Sequence, residues 1–125
     1  MFDSKGRKIH YLRLSVTDLC NLRCRYCMPE GVEKLAHGDI LTYEEFLRLA
    51  ALFARCGVDT VRVTGGEPLV QLDFVTEFFR LMKKEGVHTC VDTAGQPFRR
   101  DPEWLDRFNE LMSLTDLFML DLKQF

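Results

Sequence analysis

Residues 20–27 read Cys-Asn-Leu-Arg-Cys-Arg-Tyr-Cys, which spaces three cysteines as C-x3-C-x2-C within one short stretch. Three thiolates held this close together suit a [4Fe-4S] cluster, which normally takes four protein ligands. With three protein ligands, one iron keeps an open position for a small molecule, as catalytic zinc sites do. The alternative is a zinc site, but such sites usually have a fourth cysteine or histidine nearby, and none is close here. The motif therefore predicts a reactive iron–sulfur centre bound by Cys20, Cys24 and Cys27.

Composition and charge indicate an ordinary globular domain. The 125 residues include 17 basic and 19 acidic side chains, and the net charge of −2 indicates no nucleic-acid or anionic-membrane partner. No apolar run reaches the ~20 residues of a membrane span, and residues 1–8 lack the apolar core of a signal peptide. Five cysteines, three of them clustered, argue against a disulfide framework, and iron-binding thiolates need a reducing compartment. We expect one domain over residues 1–125, located in the cytoplasm.

The remaining sequence alternates between strand and helix patterns. Thr42 and Glu45 form a capping box, and apolar residues then recur on one helical face until Gly57. Asp101 followed by Pro102 is a typical start of a later helix. Apolar and β-branched runs predict strands, and the last run is apolar enough to predict a strand covered on both faces. The predicted strands span residues 10–16, 58–64, 87–92 and 117–122, and a helix with its apolar face in residues 74–82 lies between the second and third.

The resulting βαβαβαβ order predicts an α/β fold with a parallel sheet and right-handed crossovers. In such sheets, ligands bind at the carboxyl ends of the strands. Four motifs lie at or just after the ends of predicted strands and so fall at this edge, namely the cysteine stretch, Gly65-Gly66-Glu67, Asp92-Thr93 and residues 121–123. Their common position predicts a single site to which all four strands contribute.

The cysteine stretch resembles the signature of the radical S-adenosylmethionine (SAM) superfamily. Residues 11–69 more specifically resemble the GTP 3',8-cyclases of molybdenum cofactor biosynthesis. The matching segments are Leu-Arg-Leu-Ser-Val-Thr-Asp at 12–18, Met-Pro-Glu at 28–30 and Thr-Gly-Gly-Glu-Pro-Leu at 64–69. This resemblance implies a catalytic core that binds a cluster and SAM.

The second half of the sequence follows a different pattern within the same superfamily. Residues 71–124 resemble the pyruvate formate-lyase activating enzymes, through the segments at 83–93 and 115–123. The superfamily core is a partial barrel of about six βα units. The resemblance therefore implies a truncated or minimal (β/α)6-type core of about four strands and three helices.

The superfamily resemblance also implies cofactors and their contacts. It implies SAM on the open iron, and reductive cleavage to a 5'-deoxyadenosyl radical with flavodoxin or ferredoxin as electron donor. It places Tyr26 near the adenine and the backbone around Met28 at the adenine edge. Gly65 and Gly66 permit close backbone approach, so these residues and Glu67 are expected to meet the SAM amino group. The alternatives are loop packing for Tyr26 and a simple strand-to-helix turn for the Gly-Gly-Glu motif.

The resemblance to the activating enzymes implies a further, monovalent cation. Asp92, Thr93, the Met119 carbonyl and Asp121 match the residues that hold this cation beside the SAM carboxylate in that family, and Lys123 matches a lysine that reaches SAM. Two carboxylates that face one site repel each other unless a cation lies between them. The alternative is that both aspartates only cap strand ends.

The resemblance to the cyclases also implies a residue that contacts the substrate, Arg13. It lies seven residues before Cys20, where the cyclases place an arginine on the substrate triphosphate. Arginine suits phosphate because its fork donates two hydrogen bonds. The alternative is an exposed strand residue without a ligand.

Three functions therefore remain open from sequence. The first half implies GTP cyclisation, and the second half implies hydrogen abstraction from a glycyl-radical enzyme. The third possibility is a non-catalytic iron–sulfur or SAM-binding module. Because apolar strand edges recruit partners, we also expect association of two chains through the strand at 117–122.

Overall fold

Four strands pair in chain order within the residues that the structure describes. This computed structural model describes residues 1–18, 20, 22, 24, 26 and 37–122. Its strands form one parallel sheet in the order β1-β2-β3-β4, which confirms the predicted α/β class. The strands are β1 (Tyr11–Ser15), β2 (Thr60–Thr64), β3 (His88–Thr93) and β4 (Leu117–Leu120); the helices are α1 (Tyr43–Arg55), α2 (Leu72–Lys84) and α3 (Pro102–Ser113), with 3-10 turns at His37–Asp39 and Pro68–Gln71.

The start of α1 is set by local hydrogen bonds that the sequence predicted. The backbone N–H of Glu45 donates to the Thr42 hydroxyl at 3.2 Å, and the Thr42 N–H donates to the Glu45 carboxylate at 2.8 Å. This reciprocal capping box satisfies two N–H groups that the first turn would otherwise leave unpaired. Gly57, with a φ of 93°, follows the end of the helix as predicted.

Strand alternation gives the sheet an apolar face and a polar face. Val61 and Val63 of β2 are at most 1% exposed and pack in one cluster with Phe78 and Phe79 of α2. Burying a side chain of this size contributes ~1.5–3 kcal/mol each. Because side chains alternate along a strand, Arg62 lies on the opposite face from these valines, where it lines a cavity. The core thus leaves the other face of the sheet for polar side chains.

β4 is shorter and more exposed than the sequence predicted. The apolar run at 117–122 predicted a strand covered on both faces, but β4 ends at Leu120, and Met119 and Leu120 are 40% and 60% exposed. Phe118 is partly buried, with its ring 5.8 Å from that of Phe108 in α3. The cause is position, since β4 pairs with β3 on one side and no described strand lies on its other side. Association of two chains through this edge stays a prediction.

Hydrogen bonds from β3 fix the path of the chain into and out of β4. The N–H of Thr89 donates to the Asp116 carboxylate at 2.8 Å, and Lys83 forms an ion pair with the same carboxylate. Burial raises the pKa of Asp116, but the hydrogen bonds from Lys83 and Thr89 outweigh this effect and lower the pKa to about 2. Beyond β4, the N–H of Asp121 donates to the Thr93 carbonyl at 2.9 Å. These contacts hold Asp121 at the carboxyl edge of the sheet.

None of the helices in the described part of the chain is long and apolar enough to cross a membrane.

Candidate functional site

A cavity of about 500 Å³ lies at the carboxyl edge of the sheet. Side chains from all four strands or from the segments that follow them line it, as expected when parallel strands end together. The lining residues with polar or sulfur-bearing side chains are Arg13, Cys20, Cys24, Tyr26, Arg62, Thr64, Asp92, Thr93, Met119 and Asp121, and the Gly65-Gly66 turn completes the wall.

The structure brings two of the three motif cysteines to this cavity. Cys20 and Cys24 both line it, and the Cys20 thiol donates to the Leu22 carbonyl at 3.5 Å. Tyr26 also lines it with 73% of its surface exposed. The predicted third ligand, Cys27, lies outside the described residues. Two thiols on one short segment supply the soft donors that an iron–sulfur cluster needs, so the described part of the motif fits that group.

Met28 and Lys123 both lie outside the described residues. Within the residues that the structure does describe, no three His, Cys, Asp or Glu side chains form a group that could hold a metal. That finding does not extend to the full cysteine motif, because Cys27 is not among them.

The Gly65-Gly66 turn packs directly on the chain that leads into the cysteine stretch. The N–H of Gly66 donates to the Thr17 carbonyl at 2.6 Å. Gly65 has a φ of +132°, and a Cβ there would lie 2.5 Å from the Thr17 oxygen. A side chain at position 65 is therefore excluded both by backbone conformation and by space. The turn fixes the first residues of the cysteine stretch relative to β2.

Glu67 follows this turn, but its carboxylate points into the protein. The residue is 1% exposed. Its Oε1 accepts hydrogen bonds from the Thr93 hydroxyl at 2.6 Å and the Leu69 N–H at 3.1 Å, and its Oε2 accepts one from the Ala94 N–H at 2.9 Å. Glu67 thus ties the segment after β2 to the end of β3. Contact between Glu67 and a ligand amino group stays a prediction. In the structure, Glu67 holds Thr93 and Ala94, which line the cavity, in place.

Replacing Glu67 by glutamine tests this positioning role. The glutamine NH2 group cannot accept a hydrogen bond, so at least one buried donor loses its partner. We expect the free energy of unfolding to fall by about 2 kcal/mol, measured by urea denaturation. Glu44→Gln, at an exposed position in α1, is the matched control and should cost less than about 0.5 kcal/mol. Equal stability of the two variants would contradict the role given to Glu67.

Asp92 is paired with an arginine that the sequence reasoning did not single out. The Arg62 Nε lies 2.7 and 2.8 Å from the two carboxylate oxygens, and its Nη2 lies 2.7 Å from Oδ2. Arg13 approaches the same oxygen at 3.9 Å and reaches the Thr64 hydroxyl at 3.5 Å. The sequence did contain a signal for Arg62, because a charged residue between Val61 and Val63 must lie on the polar face of β2, just before the Gly65-Gly66 turn.

Asp92, one of the residues predicted to hold a monovalent cation, is already paired with a cationic side chain. Both Asp92 oxygens already accept hydrogen bonds from Arg62. The Thr93 hydroxyl donates to Glu67 and accepts from the Gly95 N–H at 2.9 Å. Asp121 lines the same cavity. The donor set therefore contains a guanidinium at the carboxylate where the cation was expected.

Comparison with known proteins identifies the family. The sequence model of the Radical SAM superfamily matches residues 14–125. The chain is 56% identical over 95 residues to GTP 3',8-cyclase of Geobacter sulfurreducens, covering 75% of this chain and 29% of that protein. It is 54% identical over 88 residues to molybdenum cofactor biosynthesis protein 1 of Mus musculus, covering 70% of this chain and 14% of that protein.

A second group of relatives matches a longer part of the chain. It is 40% identical over 109 residues to the pyruvate formate-lyase-activating enzyme of Listeria monocytogenes, covering 84% of this chain and 44% of that protein. The chain thus spans less than half the length of each of these curated relatives. Both resemblances predicted from sequence are confirmed.

Proposed function

Because this chain belongs to the radical SAM superfamily, we propose that it binds a [4Fe-4S] cluster and SAM and cleaves SAM reductively. The observation that carries the proposal is the common position of Cys20, Cys24 and the Gly65-Gly66 turn around one cavity at the carboxyl edge of the sheet. This combination places soft ligands beside a backbone surface that a small molecule can approach closely.

The chain's own residues would hold the two groups as follows. Cys20, Cys24 and Cys27 would bind three irons as thiolates. When bound, the cluster supplies the single electron that splits SAM into methionine and a 5'-deoxyadenosyl radical. Flavodoxin or ferredoxin would deliver that electron, and the need for reduced thiolates favours the cytoplasm.

The protein would also orient SAM and restrict its surroundings. The exposed ring of Tyr26 gives the cavity an aromatic surface on which an adenine could stack. The backbone of Gly65 and Gly66 would meet the methionine part of SAM. Glu67 would keep that backbone in place through its bonds to Thr93 and Ala94. Holding SAM in one orientation makes cleavage of one particular bond more probable.

For the substrate, we infer a GTP 3',8-cyclase-like reaction. The observation that favours it is Arg13, whose side chain is 60% exposed and lines the same cavity. A guanidinium in this position could bind a triphosphate beside SAM. The relatives that are 56% and 54% identical over 75% and 70% of the chain carry names of that reaction or of molybdenum cofactor biosynthesis.

An activating-enzyme-like reaction on a glycyl-radical enzyme is the second candidate. It is favoured by the match to the pyruvate formate-lyase-activating enzyme, which covers 84% of the chain. Lys123 would then reach SAM, as that resemblance implies. A third reading is a module that binds the cluster or SAM without catalysis.

Anaerobic incubation of the reconstituted chain with SAM and dithionite tests the proposal. We expect 5'-deoxyadenosine and methionine in equal amounts, quantified by liquid chromatography and mass spectrometry. Iron loading without 5'-deoxyadenosine would support the non-catalytic module instead. Parallel incubations with GTP and with pyruvate formate-lyase separate the two substrates, scored by a cyclised nucleotide and by a glycyl-radical EPR signal.

Arg13→Gln provides the matched test of the substrate assignment. It should weaken GTP binding while leaving the yield of 5'-deoxyadenosine in the absence of GTP unchanged. Arg48→Gln, at an exposed position in α1, is the control. Equal GTP affinity in the two variants would contradict the role given to Arg13.

A further inference from the structure

Arg62 and Asp92 form an ion pair in the wall of the cavity. The guanidinium donates to both carboxylate oxygens at distances of 2.7–2.8 Å. The two side chains are only 25% and 15% exposed, so water screens the pair less than it would a surface ion pair. The hydrogen bonds to Asp92 raise the pKa of Arg62, which remains charged at any pH the protein would meet.

This contact uses the oxygens that a bound cation would need. Sodium and potassium are hard cations that bind carboxylate, carbonyl and water oxygens. A cation at the Asp92 carboxylate would lie next to the Arg62 guanidinium and close to Arg13, whose Nη2 is 3.9 Å from Asp92 Oδ2. Like charges at this separation repel one another. A monovalent ion at these oxygens would therefore have to displace the guanidinium or lie against its positive charge.

Strand register brings Arg62 to Asp92. Arg62 comes from β2 and Asp92 from the adjacent β3, and the register pairs Arg62 with Cys90. Asp92 therefore lies two residues further along, within reach of an extended arginine side chain.

We propose that the Arg62 guanidinium is the resident counter-ion of Asp92 and takes the place of the monovalent cation that the activating-enzyme resemblance implies. The cavity then binds its ligand without a requirement for sodium or potassium. The part of the inference that concerns SAM affinity rests on the proposed function. The part that concerns cation binding by the protein alone does not.

Sodium-23 NMR of the anaerobically reconstituted chain tests the second part directly. We expect no saturable line broadening by the unsubstituted chain or by the control Arg48→Gln. Arg62→Gln should produce saturable broadening, because the freed Asp92 carboxylate becomes a cation ligand. Saturable broadening by the unsubstituted chain that Asp92→Asn removes would overturn the proposal. So would a folded Arg62→Gln variant that gains no cation binding.

Titration calorimetry with SAM in sodium, potassium and choline chloride at equal ionic strength tests the first part. For the unsubstituted chain and Arg62→Lys, the dissociation constant should not depend on the cation. For Arg62→Gln, replacing sodium by choline should weaken binding about fivefold or more, the lower end of typical coupling between two ligands. A loss of that size in the unsubstituted chain would overturn the proposal.

The two measurements separate the possible failures. If SAM binds in none of the salts, the proposed function fails, and the sodium-23 result still decides the counter-ion role. If Arg62→Gln does not fold, the unsubstituted chain and Arg62→Lys still decide it, because cation dependence in either would contradict the inference.

Discussion

Replacing any one of Cys20, Cys24 and Cys27 by alanine is expected to abolish iron loading and SAM cleavage. In the proposed function a cubane cluster would need all three thiolates, because the fourth iron would be left to SAM. After anaerobic reconstitution, the unsubstituted chain should carry about four irons, whereas each variant should carry nearly none. Iron and sulfide analysis, together with visible absorption, provides the measurement.

The chain contains its own matched controls for this result. Cys56 is exposed after α1, and Cys90 is buried in β3. Cys56→Ala and Cys90→Ala should both retain full iron content. Loss of iron in either control would show that the cluster takes a fourth cysteine, and the argument for an open iron would fail.

Gly65→Ala is expected to be the most destabilising glycine substitution at the site. The added Cβ would lie 2.5 Å from the Thr17 carbonyl oxygen, and the backbone would retain a φ of +132° that alanine rarely adopts. Conformational strain and the displacement of Thr17 together should lower the free energy of unfolding by about 3 kcal/mol or more. Urea denaturation followed by circular dichroism measures the change.

Two other glycines separate the causes of this loss. Gly86 has a φ of +70° with nothing within 4 Å of an added Cβ, and Gly38 has open space without a positive φ. We expect Gly86→Ala to cost about 1 kcal/mol and Gly38→Ala to cost less than that. If Gly65→Ala lowers the free energy of unfolding no more than Gly86→Ala does, the close approach of residue 65 to Thr17 does not contribute to stability.

Local sequence signals predicted the order of the elements well. The capping box at Thr42 and Glu45 and the Asp101-Pro102 start mark α1 and α3 because short-range hydrogen bonds and fixed φ angles determine helix ends. The β-branched residues of β2 likewise predicted that this segment forms a strand. Burial of β4 was mispredicted because an apolar sequence does not reveal whether a strand lies at the edge of its sheet.

The candidate site was predictable in its position but not in its contacts. Motifs after parallel strands must meet at one edge, so the sequence could place Cys20, Gly65 and Asp92 together. It could not reveal that the Glu67 carboxylate turns inward to Thr93, because both residues are polar and lie 26 positions apart. Nor could it reveal the pairing of Arg62 with Asp92, which depends on strand register and on the reach of one side chain.

EPR spectroscopy of the reduced chain, with and without SAM, tests the central claim of an open iron beside the Gly65-Gly66 turn. We expect a [4Fe-4S] signal whose g values shift when SAM is added, because the amino and carboxylate groups of SAM would bind the iron that lacks a cysteine. An unchanged signal from a chain that carries about four irons and binds SAM would contradict the account.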